Sequence, residues 1–372
     1  MTVNTPTDPT KTRILAELKH ARPLIGCRFD PSGRYLFVSA EDDAIQRFDL
    51  LTGEKTSLLG HRSWVRGLAF SPSKGMPVVP STTVQLGALA GSAIAARKPA
   101  PFTLLSGDYH GKLLWWNGSE QAPKPTRTVA AHDGWIRAVA VSPDGATVAT
   151  CGNDNLVKLW STADGRPIRT LEGHYSHVYN IAFHPAGQSL VSADLKGIIK
   201  DWDLGTGRVV RELDAKVLHK YDAGFAADIG GIRGIGFDAA GTRLVCTGIT
   251  NVSNAFAGVG NPIVILFDWK DGTAKQLKPK EAFQGTGWSV GILPSGTVIA
   301  AGGGGQGRIW FWNPDDGTNA HTVTVAANAR DMALHPDGTA VALAGANGSC
   351  LLYTMTPTPA PPASPVAPAK KA

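Results

Sequence analysis

The sequence predicts an all-β protein folded as a β-propeller of seven blades. Three observations predict it. A unit of three short apolar strands, divided by two tight turns, recurs along the chain and is clearest at Ala131 to Ser161. An aromatic residue near the end of each third strand marks the copies: Phe48, Trp116, Trp160, Trp202, Phe267, Trp312 and Tyr353, at steps of 68, 44, 42, 65, 45 and 41 residues. Composition agrees, because 43 glycines and a charged fraction of 18% suit many turns and few solvated helices. A period of about 40–45 residues with four strands per repeat is the mark of a propeller.

The elements follow in order. Residues 1–11 are polar and expected to be disordered. TRILAEL, residues 12–18, is a strand with no partner nearby. In copy one LIGCRF, RYLFVSA and AIQRFDL are strands, and DPSG and EDD are turns. β-branched and aromatic residues fill the strands, while Gly, Pro, Asn and Asp fill the turns. Copy two opens GHRSWVRGLAFSP and resumes at FTLLSGDYHGKLLWWN after an insertion over 73–101. Copy three is Ala131 to Ser161, copy four starts at Gly173, copy five at Gly231, copy six at Gly287 and copy seven at Ala329. Polar, alternating segments such as EKTSLLG and PIRTLEG supply an outer fourth strand. Copy seven lacks one and ends in a Pro/Ala-rich tail, 356–372, expected to be disordered. The unassigned strand at 12–18 is therefore expected to pair beside Leu351 to Met355 and close the ring, with the propeller spanning 12–355.

Gly60-His61 and Gly173-His174 open repeats, Ser71-Pro72 and Ser142-Pro143-Asp144-Gly145 form first turns, and Trp202-Asp203 closes copy four. On these marks the chain resembles the WD-repeat (WD40) β-propellers. The resemblance implies a buried tetrad of His, Ser/Thr, Asp and Trp. Copy three supplies it as His132, Thr150, Asp154 and Trp160. Copy four has Lys196 and copy two His110 where Asp is expected, so those blades are expected to be looser.

Several function classes lose support. The net charge of +6 is mild and includes Lys370 and Lys371 of the tail, so a nucleic-acid role is disfavoured. No run of about 18 apolar residues crosses a bilayer, and the start has no secretion signal. The four cysteines, Cys27, Cys151, Cys246 and Cys350, sit on strands of different repeats and read as buried free thiols in a cytoplasmic protein. His174 and His177 form H-x-x-H without a completing ligand set, and Gly302 to Gly305 fall in a turn between strands, so neither a metal nor a cofactor is expected.

The positive signal is positional. Aligned on the first strand of each copy, one equivalent position holds Ile25, Arg66, Arg137, Tyr179, Arg233, Trp288 and Arg330. Two residues earlier, copies two to four hold Trp64, Trp135 and His177. The resemblance implies that these positions ring the top mouth of the channel. Guanidinium groups favour carboxylate and phosphate, and aromatic residues are their usual company at interfaces. The expected role is a non-enzymatic scaffold, a monomeric propeller within a complex, that binds an acidic or phosphorylated segment of a protein partner. A lactonase-like channel enzyme would need channel carboxylates, and the aligned ring is cationic and aromatic. Connections at 214–230 and 250–262 are expected to rise as loops beside Arg233, with Tyr221, Phe225 and Phe256 as a lip. The uncharged stretch Gly75 to Ala96 is the alternative docking element.

Overall fold

Seven four-stranded antiparallel sheets form the blades of a propeller in the computed structural model, which describes residues 7–71, 100–254 and 259–357. The stretch Gly75 to Ala96, Phe256 and the tail from residue 358 lie outside the described residues. Among the described residues there is no α-helix, and none that could cross a membrane. Strands are lettered a to d from the channel outward. Strand a of each blade lies beside strand a of its neighbours.

Six blades take their four strands from consecutive chain. The seventh takes Ala329–Leu334, Ala340–Gly345 and Ser349–Thr354 from late in the sequence and Arg13–Lys19 from its start. Leu18 faces Cys350 and Glu17 faces Leu351 in antiparallel register. The Asp8 amide donates to the Met355 carbonyl at 2.8 Å, and Ser349 Oγ donates to Glu17 Oε1 at 2.7 Å. This strand supplies the outer edge that copy seven lacks.

The apolar core is divided among the seams. Seven clusters of buried residues each join two neighbouring blades. Trp116, from blade two, packs with Phe37 and Ile45 of blade one, and Trp202, from blade four, with Ala149 and Leu159 of blade three. Each such side chain contributes about 1.5–3 kcal/mol by leaving water, so the aromatic residue that marks the repeat in sequence also joins one blade to the next. All four cysteines are free and buried; burial pushes the Cys151 and Cys246 thiols far up.

Polar ties fix the turns. In blade two Gly111 sits at φ +73°, and a Cβ there would lie 2.0 Å from the His132 carbonyl oxygen of blade three. Only glycine fits that left-handed turn so close to the neighbouring blade.

The tetrads correct the sequence reading. In blade three His132 Nδ1 meets Asp154 at 2.8 Å, its Nε2 meets Thr150 Oγ1 at 2.7 Å, and Trp160 Nε1 donates to Thr150 at 2.9 Å. Blades two and four are equally complete. His61 Nδ1 meets Asp108 at 2.8 Å and His174 Nδ1 meets Asp194 at 2.9 Å; Ser106 and Ser192 take the place of Thr150. Neither His110 nor Lys196 occupies the acid position. Asp108 and Asp194 stand two residues after the Ser, whereas Asp154 stands four after Thr150. From that earlier place one carboxylate oxygen caps the b–c turn, at 2.9–3.0 Å from the amides two and four residues on. The other oxygen reaches the same imidazole. Burial, the largest single influence, would raise the Asp108 and Asp154 carboxyls, but the hydrogen bonds from His61 and His132, the turn amides and the nearby positive charges together outweigh it and hold both below the usual carboxylate range.

Much of the described part of both connections beside blade five is strand, where loops are expected. His219–Asp222 and Ala227–Gly230 pair as a separate hairpin, and strands b and c run on as Arg243–Asn254 and Val259–Asp268. Tyr221 and Phe225 are exposed on the hairpin. The continuous register from Arg243 through Thr250 leaves no irregular connection in that stretch.

Candidate functional site

One backbone irregularity recurs at the start of strand a. The a–b register slips at Ile25, Arg66, Arg137, Tyr179, Trp288 and Arg330, so each is the extra residue of a β-bulge. In blade five the Arg233 amide donates to the Thr247 carbonyl at 2.8 Å, just before Gly234 pairs with Thr247. A bulge leaves its extra residue unpaired and re-aims the side chain. The position aligned by sequence is thus one backbone device repeated around the channel. The residues two earlier are fixed as well: the carbonyls of Trp64, Trp135 and His177 accept from the b–c turn amides of Tyr109, Asn153 and Leu195 at 3.0, 3.0 and 2.9 Å.

On one side of the mouth the side chains form a continuous ladder. Trp64 tilts against Tyr109 at 5.9 Å between ring centroids, and Tyr109 stacks on Trp135 at 4.0 Å with the rings 2° from parallel. The Arg137 guanidinium lies 4.5 Å from the Trp135 ring centre and 4.6 Å from that of Tyr179. Arg233 follows, 4.8 Å from the ring centre of Tyr179 and 5.4 Å from that of Trp288. Trp64 and Trp135 stay about two-fifths exposed, at 41% and 40%. His177 is beside the ladder; burial first, then the charge of Arg137, pushes its pKa down. Tyr109 was not singled out in the sequence, although an aromatic in a turn otherwise built of Gly, Asp and His was the available signal.

The arginines are not equivalent. Arg330 pairs with Glu41 of blade one. Arg66 donates to the Ile25 carbonyl and lies 3.9 Å from Asp331. Arg137 Nε donates to Asn153 at 2.7 Å, and neither Arg137 nor Arg233 has a carboxylate partner among the described residues. Burial pushes the Arg233 pKa down; Tyr179 opposes this, and the charges of Arg137 and Arg66 add to it. The acids near the ring have other partners. Asp108 belongs to its tetrad, and Asp331 accepts from Arg28 at 2.6 Å and from the Cys27 amide at 3.1 Å.

Below the mouth the channel holds a cavity of about 350 Å³, whose walls include Arg28, Arg66, Arg137, Asn180, Arg233 and Asp331. Trp288 also lines it, while Arg330 does not. Arg28 and Asn180 were missed because they lie further along strand a than the aligned position. Among the described residues no group of three or more His, Cys, Asp or Glu side chains is placed to hold a metal ion.

The repeat, the seven blades closed by an early strand and the three tetrads define a β-propeller of the WD-repeat class. Comparison with known proteins agrees. The family described as WD domain, G-beta repeat, matches residues 123–161 and 165–203, which fall on blades three and four. The chain is similar to the nuclear distribution protein PAC1 of Coccidioides posadasii, 26% identical over 136 residues, or 35% of this chain and 26% of that protein. It is also similar to the small ribosomal subunit protein RACK1y of rice, Oryza sativa subsp. japonica, 29% identical over 107 residues, or 29% of this chain and 24% of that protein. The soybean (Glycine max) protein RACK1 shares 44% over 43 residues, 12% of this chain and 13% of its own length. The matched stretch thus spans about a quarter or less of each relative's length. Two matched WD40 repeats thus sit within a seven-bladed β-propeller.

Proposed function

We propose that this propeller is a protein-interaction scaffold that docks a partner segment across its top mouth. The single observation that carries the reading is the ladder from Trp64 through Tyr109, Trp135, Arg137, Tyr179 and Arg233 to Trp288. It spans blades two to six, offers exposed aromatic faces, and contains two guanidinium groups with no carboxylate partner among the described residues. Rigid aromatics beside Arg are the composition of interface hot spots. A guanidinium held between rings can keep edge nitrogens for a second ligand, and forked contacts favour an anionic one. The segment is therefore acidic or phosphorylated, and it is bound rather than chemically altered. His177 and Arg330 form the rim, where contacts contribute less. A cytoplasmic setting suits four buried free thiols.

The test is capture from a lysate of the source cells with wild-type protein and with Trp135→Ala and Arg137→Ala, followed by mass spectrometry. A partner retained by wild type and lost by both variants is expected. A partner held equally by all three would place docking elsewhere on the propeller.

A further inference from the structure

We propose that the channel mouth contains a receptor for one phosphoryl group, held by the guanidinium groups of Arg66, Arg137 and Arg233. This deepens the docking reading and rests on it only for where the phosphoryl group comes from.

The argument is one of charge and donors. Four guanidinium groups, those of Arg28, Arg66, Arg137 and Arg233, line the same cavity of about 350 Å³ as one carboxylate, that of Asp331. Arg28 takes that carboxylate at 2.6 Å, and the same oxygen is 3.9 Å from Arg66. Arg137 and Arg233 both lie against the Tyr179 ring, at 4.6 and 4.8 Å from its centre, so one side chain holds two like charges close together. The Arg233 Nε is buried without a hydrogen-bond partner among the described residues. Clustered cations with unused donors in a partly desolvated space are unfavourable by themselves and become favourable around an anion.

The ligand class follows. A carboxylate has one charge and two oxygens, so it would leave most of this charge uncompensated. A phosphoryl group carries about −1.5 to −2 at neutral pH and has three acceptor oxygens, one for each guanidinium. Arg binds it through forked, charge-assisted hydrogen bonds. Asp331 adds some repulsion, but Arg28 and the Cys27 amide already hold its carboxylate against the wall. The group arrives either as a free ion or on a partner's side chain.

The experiment titrates the full-length protein with inorganic phosphate at fixed ionic strength, with sodium chloride as control, reading Tm and heat. In parallel it titrates two acetylated, amidated tripeptides, Ala-phosphoserine-Ala and Ala-Glu-Ala. Saturable phosphate binding, weakened about tenfold or more in Arg233→Gln, supports the receptor with a free ion as source. Binding of the phosphoserine peptide alone, with the same loss, supports it with a partner side chain as source. Arg137→Gln provides the same readout if circular dichroism shows that Arg233→Gln does not fold. No saturable binding of phosphate or phosphopeptide, equal binding of the Glu peptide, or unchanged binding in the folded variants overturns it. Such a failure leaves partner capture through Trp135 untouched, and loss of partner capture leaves phosphate binding as measured.

Discussion

The two sides of the channel mouth use the same backbone device and reach opposite electrostatic states. Where blades seven and one meet, Arg330 pairs with Glu41, and Asp331 pairs with Arg28 while its oxygen also approaches Arg66. Across blades three to five, Arg137, on its bulge, and Arg233, at the aligned position of blade five, face rings in place of carboxylates. The difference teaches that the bulge decides where a side chain goes, and the neighbouring blade decides whether its charge is compensated. The paired side belongs to the closure of the ring. The unpaired side is left with donors to offer.

Removing residues 1–19 should break the paired side most completely. It takes away the outer strand of blade seven and leaves Leu18's partners in the seam exposed. Aggregation on size-exclusion chromatography, or loss of a cooperative melt, is the expected outcome; an unchanged melt would mean that closure does not depend on this strand. Next in size is Asp331→Ala, which leaves the Arg28 charge and the Cys27 amide without their buried acceptor. A loss of about 1.5–3 kcal/mol in chemical denaturation is expected, because Asp331 itself is buried, against under about 1 kcal/mol for Glu41→Ala, whose carboxyl is partly exposed.

A smaller effect separates the tetrads from their surroundings. Asp194→Ala should cost about 1–3 kcal/mol by leaving His174 and two turn amides unpaired. Lys196→Ala should stay within about 0.5 kcal/mol, since its contact is a 3.7 Å pair with Asp228 and its side chain is half exposed. Equal losses would contradict the assignment of the acid to Asp194. The smallest effect is on pH dependence. Asp108 and Asp154 have folded-state pKa values below the ordinary carboxylate value of about 3.9. As pH falls, the unfolded chain takes up protons first, so their contribution is present above about pH 4 and is lost as pH drops through the depressed folded values. Denaturation midpoints between pH 6 and pH 3 (about the span over which these groups titrate) should fall less steeply in Asp154→Asn than in wild type.

The fold was legible because its signals are local. Strand alternation, turn residues and the recurring aromatic lie within each copy, and the unmatched strand before copy one pointed to closure in blade seven. The aligned position was legible too, because seven copies supply their own alignment. Contacts between copies were not. That Arg330 meets Glu41 while Arg137 meets Tyr179 depends on which residue the adjacent blade presents, and no single repeat contains that pairing. Tetrad acids at Asp108 and Asp194 escaped notice for a different reason. A count fixed on copy three placed the acid four residues after Thr150, whereas a turn capped by its first residue brings it two residues after Ser106 or Ser192. The hairpin at His219–Asp222 and Ala227–Gly230 was hidden by Gly and Asp residues that also mark loops.

The pairing of Arg13–Lys19 with Ser349–Thr354 has a consequence for biosynthesis. Glu17 and Ser349 bond across 332 positions of sequence, so the earlier strand must wait for one synthesised that much later. At synthesis rates of about 5–20 residues per second the delay is tens of seconds. During it, the growing chain carries an unpaired edge and an uncovered face of blade one. Contacts this distant are slow to form, and every truncated nascent chain is an open arc. Expected timing is therefore protection of the early strand during translation and its docking only once Ser349–Thr354 has emerged.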